Sequence, residues 1–402
     1  MTTRRSILQT AVGSVALVGG GLIGNLARAG LPSGTIESSV LEALPGKQPL
    51  LKRSFRPPNY ETPVAFFNEP ITPNERFFVR WHLANIPVID AAAWRLGVGG
   101  EGAAQELVFT LEQLKHEFEP VEVVAVCQCS GNRRGLSDPH VPGVEWGYGA
   151  MGNARWKGAR LKDILARAGL RKEAVEIAFN GNDTPPLEAT PGFVKSIPAW
   201  KAIDDDTLLA YEMNGAPLPH WNGYPARIVV PGWTATYWMK QVVSIRALKE
   251  PLKNFWVNTA YRIPKGKFPL VDRFVSQESE TTTPITEMVV NSLVTNLEDG
   301  QRFAAGRPVV VKGIAWDGGY GIRRVEVSLD EGRSWQAAEL GADLGRFSFR
   351  PWQYMFTPRA RGHSSVMARA SNAQGSTQVS ELIFNGPGYH NNVIQKIGIE
   401  IA

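Results

Sequence analysis

The chain has 402 residues and a formal charge of +5, which falls to +2 once the three arginines of the first 29 residues are set aside. That length buries a large core and spans two or three domains. The remaining basic residues are dispersed, which excludes the concentrated stripe of a nucleic-acid binder. Forty glycines, 28 prolines and 12 tryptophans suit a loop-rich, β-containing protein better than a helix bundle, and two cysteines at CxC spacing give no disulfide framework.

Residues 1–29 read as an export signal. Arg4-Arg5 precede a mildly apolar, glycine-rich run over 11–26, and Ala27-Arg28-Ala29 is a cleavage-site pattern. Twin arginines before a weakly apolar core point to the twin-arginine (Tat) route, hence to a periplasmic product that crosses already folded. The run is short and glycine-rich for a bilayer span, so no membrane anchor is expected after cleavage. Residues 30–73 are proline-rich and lack a period, and read as an extended arm over the first domain.

Within Arg76-Phe77-Phe78-Val79-Arg80-Trp81-His82-Leu83, an extended backbone puts Phe78, Arg80 and His82 on one face and Phe77, Val79 and Trp81 on the other. The pattern leaves two readings open: a wall facing an anion, or a surface strand with solvated charges. Residues 121–126 are apolar and β-branched apart from Glu122 and Ala125, and read as a buried strand. It runs into Cys127-Gln128-Cys129 and a turn at Ser130-Gly131-Asn132, with Arg133 and Arg134 directly after. Cys127, inside the run, reads as a core residue. Cys129, at the strand end beside fixed positive charge, reads as a thiolate suited to a soft metal. Zinc would need a second Cys/His cluster, which the sequence does not offer.

Residues 160–168 have helical spacing, with Leu161, Ile164, Leu165 and Ala168 as the apolar face and Gly169 as the stop. A strand over 175–179 leads to Asn180-Gly181-Asn182-Asp183, where Asp183 is by default a turn residue. Asp204-Asp205-Asp206 reads as a helix cap and solvated turn rather than a metal cluster. Gly223-Tyr224-Pro225-Ala226-Arg227 enters an apolar strand, and the run from Trp233 to Lys240 holds one cation among aromatics. Taken alone, Lys240 is a snorkelling side chain and Tyr261 a packed ring with its hydroxyl satisfied. The character changes near 285. Strand-like runs at 309–315, 325–329, 334–339, 347–349, 365–370 and 394–401, with a turn at Asp330-Glu331-Gly332, predict a β-sandwich.

Several of these stretches together resemble the sulfite oxidase family of molybdenum enzymes. Cys129-Ser130-Gly131-Asn132-Arg133-Arg134 is similar to its CxGNRR signature, Phe78-Val79-Arg80-Trp81-His82 to its FVRxH motif, and 211–240 to its pterin-binding stretch. The likeness covers roughly residues 60–400. It implies an α+β protein: a mixed α/β, sulfite-oxidase-type molybdopterin domain over 74–284, then an Ig-like β-sandwich over 285–402 that mediates dimerisation.

The resemblance implies a molybdenum-molybdopterin cofactor with Cys129 bound to the metal. It assigns cofactor contacts to Phe78, His82, Cys129, Asp183, Asn222, Arg227, Thr236 and Lys240, and catalytic positions to Arg80, Tyr261, Arg134 and Trp146. Two departures stand out. Vertebrate-type members carry histidine where Asn222 aligns, and the family's C-terminal substrate arginine is missing, with only His390 and Asn391 near that point. The implied activity is oxidation of sulfite to sulfate by a sulfite dehydrogenase. The sequence has no CxxCH haem-attachment motif, so electrons are expected to pass to a separate partner, a c-type cytochrome. Two other readings remain: oxidation of sulfane sulfur on a carrier protein, and an exported β-sandwich binding protein without catalysis.

Overall fold

The computed structural model describes residues 40–402; the expected export signal and the start of the arm lie outside the described residues. The rest of the arm is not simply extended. Val40–Glu42, Leu50–Ser54 and Asn59–Glu61 form an antiparallel sheet with Val79–Arg80. Strands this short show no period in the sequence. The pairing of Asn59 with Arg80 and Tyr60 with Val79 fixes the FVRxH segment, although only its Val79 and Arg80 are strand residues.

Two five-stranded sheets build the first domain. One is mixed, in the order Val194–Pro198, Glu176–Gly181, Val242–Leu248, Leu96–Gly99, Leu107–Phe109, and Val242–Leu248 runs parallel to Leu96–Gly99. The other is antiparallel: Ala216–Pro217, Leu208–Met213, Met151–Arg160 and Pro120–Gln128, with Arg227–Val229 added on Leu208–Met213. Pro120–Gln128 ends the row, so its first half is partly exposed and burial is complete only from Ala125 onward. The expected helix is Leu161–Arg167, with Leu161, Ile164 and Leu165 buried and Gly169 left-handed at φ +68°.

Asp204-Asp205-Asp206 does not cap a following helix. The triplet is a turn between Ala199–Ala202 and the strand Leu208–Met213, tied to Lys201, Lys162 and Arg346.

The second domain is the expected β-sandwich. One sheet runs Asn291–Val294, Val309–Trp316, Arg350–Phe356, Glu339–Leu340; the other runs Gln301–Phe303, Gln395–Ile401, Gly362–Asn372, Ile322–Ser328, Gln336–Ala337. Val311, Val325, Trp352, Val366 and Ile399 fill the space between them.

Residues 347–349 are not a strand. They join the domains: the Phe347 carbonyl accepts from Val126 N at 2.9 Å, and the Phe349 ring meets Phe67 and Trp316. Trp316 also donates its indole N–H to Gln128 Oε1 at 2.7 Å. The strand that carries Cys127 and ends just before Cys129 is therefore clamped from the second domain, each large buried ring contributing about 2 kcal/mol.

Candidate active site at the end of the cysteine strand

A partly enclosed cavity with about 450 Å³ of empty space lies where Pro120–Gln128 ends. Its lining includes nine expected residues: Phe78, Arg80, His82, Cys129, Asn222, Arg227, Thr236, Lys240 and Tyr261. Phe77, Cys127, Ser130, Trp221 and Ala235 complete it.

The CSGNRR segment is locked before any ligand arrives. Cys129 N donates to Ala150 O at 2.9 Å, Asn132 N to Cys129 O at 2.9 Å, and Ala150 N to Asn132 Oδ1 at 3.0 Å. Ser130 Oγ donates to Thr234 Oγ1 at 3.0 Å. Both thiols are free and buried. Cys127 reads correctly as buried, yet it also lines the cavity: residues two apart in a strand share a face, a signal the CxC spacing already held.

The cations differ from the expected ones. Arg133, in left-handed backbone at φ +70°, turns away to Asn291 Oδ1 at 2.5 Å and lies over the Tyr148 ring. Arg227 lies beside Cys127. It is 3 % exposed, donates to Asn222 O at 2.9 Å and Trp238 O at 3.2 Å, and reaches Cys127 Sγ at 3.7 Å. The rings of Trp156 and Trp238 lie beside its guanidinium. Burial pushes the Cys127 thiol pKa up, against the pull of Arg227. Lys240 sits over the Trp81 ring at 4.5 Å, and burial pushes its ammonium down to about 7, with Arg227 adding to the fall and Asp183 opposing it.

Tyr261 and His82 form a unit. The Tyr261 hydroxyl is hydrogen-bonded to His82 Nε2, and the Tyr261 backbone is left-handed at φ +60°. Phe193 stacks on the imidazole at 3.6 Å. Burial first, then Arg80, Lys240 and Lys195, hold His82 well below the usual imidazole range, so the ring is neutral. Burial pushes the Tyr261 hydroxyl up, with Arg80 pulling back.

Three expected residues lie outside the lining. Asp183 is half-buried beside Lys240, and burial raises its carboxyl. Trp146 is fully buried in the core, its indole N–H without a partner. Arg134 donates to Pro387 O at 2.7 Å and Val144 O at 3.2 Å, with the Tyr389 ring 5.3 Å from its guanidinium. Gly388, at φ +62°, makes room, since a Cβ there would meet Arg134 Cγ at 2.9 Å.

Asn391 supplies no anion site in place of the missing arginine: it donates to Arg133 O at 3.1 Å and accepts from Val393 N at 3.2 Å. Tyr389 is the C-terminal residue that reaches the site, stacked parallel on Tyr261 at 5.7 Å. Asn222 also departs from a simple ligand. Its oxygen accepts from buried Lys47 at 2.5 Å and its N–H donates to Phe78 O at 3.1 Å, so it braces the wall. Lys47 had no sequence signal, because it falls in the arm.

Residues 82–256 match the oxidoreductase molybdopterin binding domain and 282–402 the Mo-co oxidoreductase dimerisation domain. Over 374 residues the chain is 38% identical to mitochondrial sulfite oxidase of Homo sapiens, covering 89% of this chain and 67% of that protein. The chain belongs to the sulfite oxidase family. Sulfite oxidase of Gallus gallus is 36% identical over 348 residues, 83% of this chain and 74% of that one. Among solved structures, the sulfane dehydrogenase SoxCD of Paracoccus pantotrophus shares the sulfite-oxidase-family fold at a TM-score of 0.72 and 26% identity, over 84% of this chain and 83% of that one.

The family's cofactor, molybdenum-molybdopterin, suits the residues present. Arg227 and Thr236 line the cavity with Lys240, and Arg227 Nε and Thr236 Oγ1 are buried donors without a partner. Orphaned donors beside cations call for an anionic group such as a phosphate. The free Cys129 thiol beside them is a soft metal ligand. Among the described residues no cluster of three His, Cys, Asp or Glu forms a metal site of protein ligands alone.

Proposed function

We propose that the protein is a periplasmic sulfite dehydrogenase that oxidises sulfite to sulfate and passes two electrons to a separate acceptor, a c-type cytochrome. One observation carries the reading: a single cavity gathers a strand-end thiol, the Arg80 cation, the His82–Tyr261 pair and unpartnered phosphate donors. When bound, the molybdenum cofactor supplies the redox and oxygen-transfer chemistry. Overall, sulfite and water give sulfate, two electrons and two protons.

The chain's own part is to bind, orient and move protons. Arg80 draws the anionic substrate inward. The Tyr261 hydroxyl, poised on a neutral imidazole, donates a hydrogen bond and relays a proton. Arg227, Thr236 and Lys240 hold the cofactor's anionic end, and Cys129 holds the metal. Arg134 and Trp146 act as support for the cysteine loop. Export rests on the twin arginines of residues 1–29. Among the described residues no helix is long and apolar enough to cross a membrane. The dimerisation domain over 282–402 supports a homodimer.

A second reading, oxidation of sulfane sulfur held on a carrier protein, is favoured by the likeness to SoxCD. The higher identity to sulfite oxidases favours free sulfite. Purified mature protein is expected to hold molybdenum and pterin near one per chain and to reduce ferricyanide, then cytochrome c, with sulfite. Turnover only with a carrier-bound persulfide would favour the second reading, and neither activity with full cofactor would overturn both.

A further inference from the structure

Lys47 belongs to the arm, yet it is buried and reaches the cavity wall. Its turn is built locally. Lys47 N donates to Leu44 O at 2.8 Å across Pro45-Gly46, and Gly46 takes the left-handed φ of +73° that glycine adopts freely. Gln48 N on Glu75 O at 2.9 Å and the Trp221 indole N–H on Pro45 O at 3.0 Å fasten the turn to the first domain. The Lys47 ammonium then spends its three protons on three acceptors: Asn74 O at 2.5 Å, Phe77 O at 3.0 Å and Asn222 Oδ1 at 2.5 Å.

Two of these acceptors belong to separate stretches of the cavity lining, Phe77 and Asn222. Asn222 passes the link on. Its Nδ2 donates to Phe78 O at 3.1 Å, and its carbonyl accepts from Arg227 Nη1 at 2.9 Å. Both ends of its amide are thus committed within the wall. Among the described residues no carboxylate lies within ion-pair distance of Lys47, and Glu75 supports its charge only from farther away. A buried ammonium without a close counter-ion is costly to the fold. What it supplies, and an apolar side chain of the same length does not, is three strong donors at one point where three segments meet.

We propose that Lys47 is a positioning residue for cofactor retention: the turn at 44–47 latches the 77–78 and 221–222 walls of the cavity together, and through Asn222 it fixes the carbonyl that anchors Arg227. The inference rests on the reading of Arg227 as a holder of the cofactor's anionic end. Arg227 spends one nitrogen on Asn222 O and another on Trp238 O, so its remaining donor keeps its aim only while Asn222 stays in place. Without Lys47, the Asn222 oxygen loses its donor, its amide is free to turn, and the Arg227 anchor loosens with it.

The test is the rate at which holoenzyme releases its pterin, followed by pterin fluorescence in the filtrate, with every variant held equally far below its own unfolding midpoint. Lys47→Met is expected to release pterin about tenfold faster, the scale of losing one hydrogen bond to a charged group. Asn222→Leu is expected to do the same, and the double variant to release no faster than the faster single one, because both changes break one link. Release at the wild-type rate in Lys47→Met, with only the unfolding midpoint lowered, would mean simple support of the fold and overturn the proposal. Effects that multiply in the double variant would overturn it too. Should Lys47→Met fail to fold, Trp221→Phe keeps a ring and removes the bond to Pro45 O; it must also speed release, and a wild-type rate there overturns the latch. Arg227→Gln releasing pterin at the wild-type rate would sink the reading of Arg227, while fast release from Lys47→Met beside it would leave the latch standing.

Discussion

The Tyr261 hydroxyl and His82 Nε2 share a hydrogen bond although 179 residues separate them in the chain. The left-handed backbone of Tyr261 aims its ring at the cavity, and the FVRxH segment brings His82 from the opposite end of the domain. Tyr261→Phe removes the hydroxyl and keeps the ring. We expect kcat for sulfite to fall about 10²-fold with KM little changed, the usual scale for losing one proton-transfer group. Steady-state kinetics at saturating acceptor check this; an unchanged kcat would assign the proton to another group.

Arg80 is half-buried, lines the cavity and is hydrogen-bonded to Trp81 O, so its charge is held at a fixed position. Arg80→Gln is expected to raise the sulfite KM about tenfold, with a smaller effect on kcat, since it removes attraction felt before and during reaction alike. The wild-type advantage should shrink with added salt, because exposed charges are screened over about 8 Å at physiological ionic strength. Measuring KM at two ionic strengths separates this from a packing defect.

Lys240 gives a pH dependence to anion binding. Burial lowers its ammonium to about 7, below the ordinary lysine range. An anion stabilises the charged form, so binding takes up a proton above that value and weakens as pH rises through it. Cofactor-free protein should bind inorganic phosphate more tightly at about pH 6 than at about pH 8.5 by calorimetry, and Lys240→Met should flatten the difference.

Asn391 invites an engineered arginine, because the family's C-terminal arginine is absent nearby. The structure argues against it. Asn391 is 4 % exposed and spends both ends of its amide on Arg133 O and Val393 N. Asn391→Arg buries an unpaired charge, and a loss of about 2 kcal/mol or more is expected, with no fall in sulfite KM. Thermal denaturation and kinetics on the same sample check both halves.

Much of this site was legible in the sequence where short motifs carry their own geometry. CSGNRR sits at a strand end, and FVRxH is pinned by strand pairing at Val79 and Arg80, so their lining residues could be named. Family position does not say which way a side chain turns: Arg134 donates to a carbonyl of the last segment and Trp146 is buried in the core, so neither is in the lining. Lys47 and Lys195 were invisible: each is a lone lysine in an unremarkable segment, and only the fold places one against Asn222 and the other against Tyr261. The β-sandwich was legible from its turns, whereas 347–349 looked like a strand because its apolar residues serve the joint between domains.

X-ray absorption at the molybdenum edge reads directly whether the Cys129 sulfur is a ligand of molybdenum. Cys129→Ser and Cys127→Ser are compared with wild type, each at matched metal content. One fewer sulfur neighbour in Cys129→Ser, and an unchanged count in Cys127→Ser, is expected. An unchanged count in Cys129→Ser, or the loss appearing in Cys127→Ser instead, would contradict it.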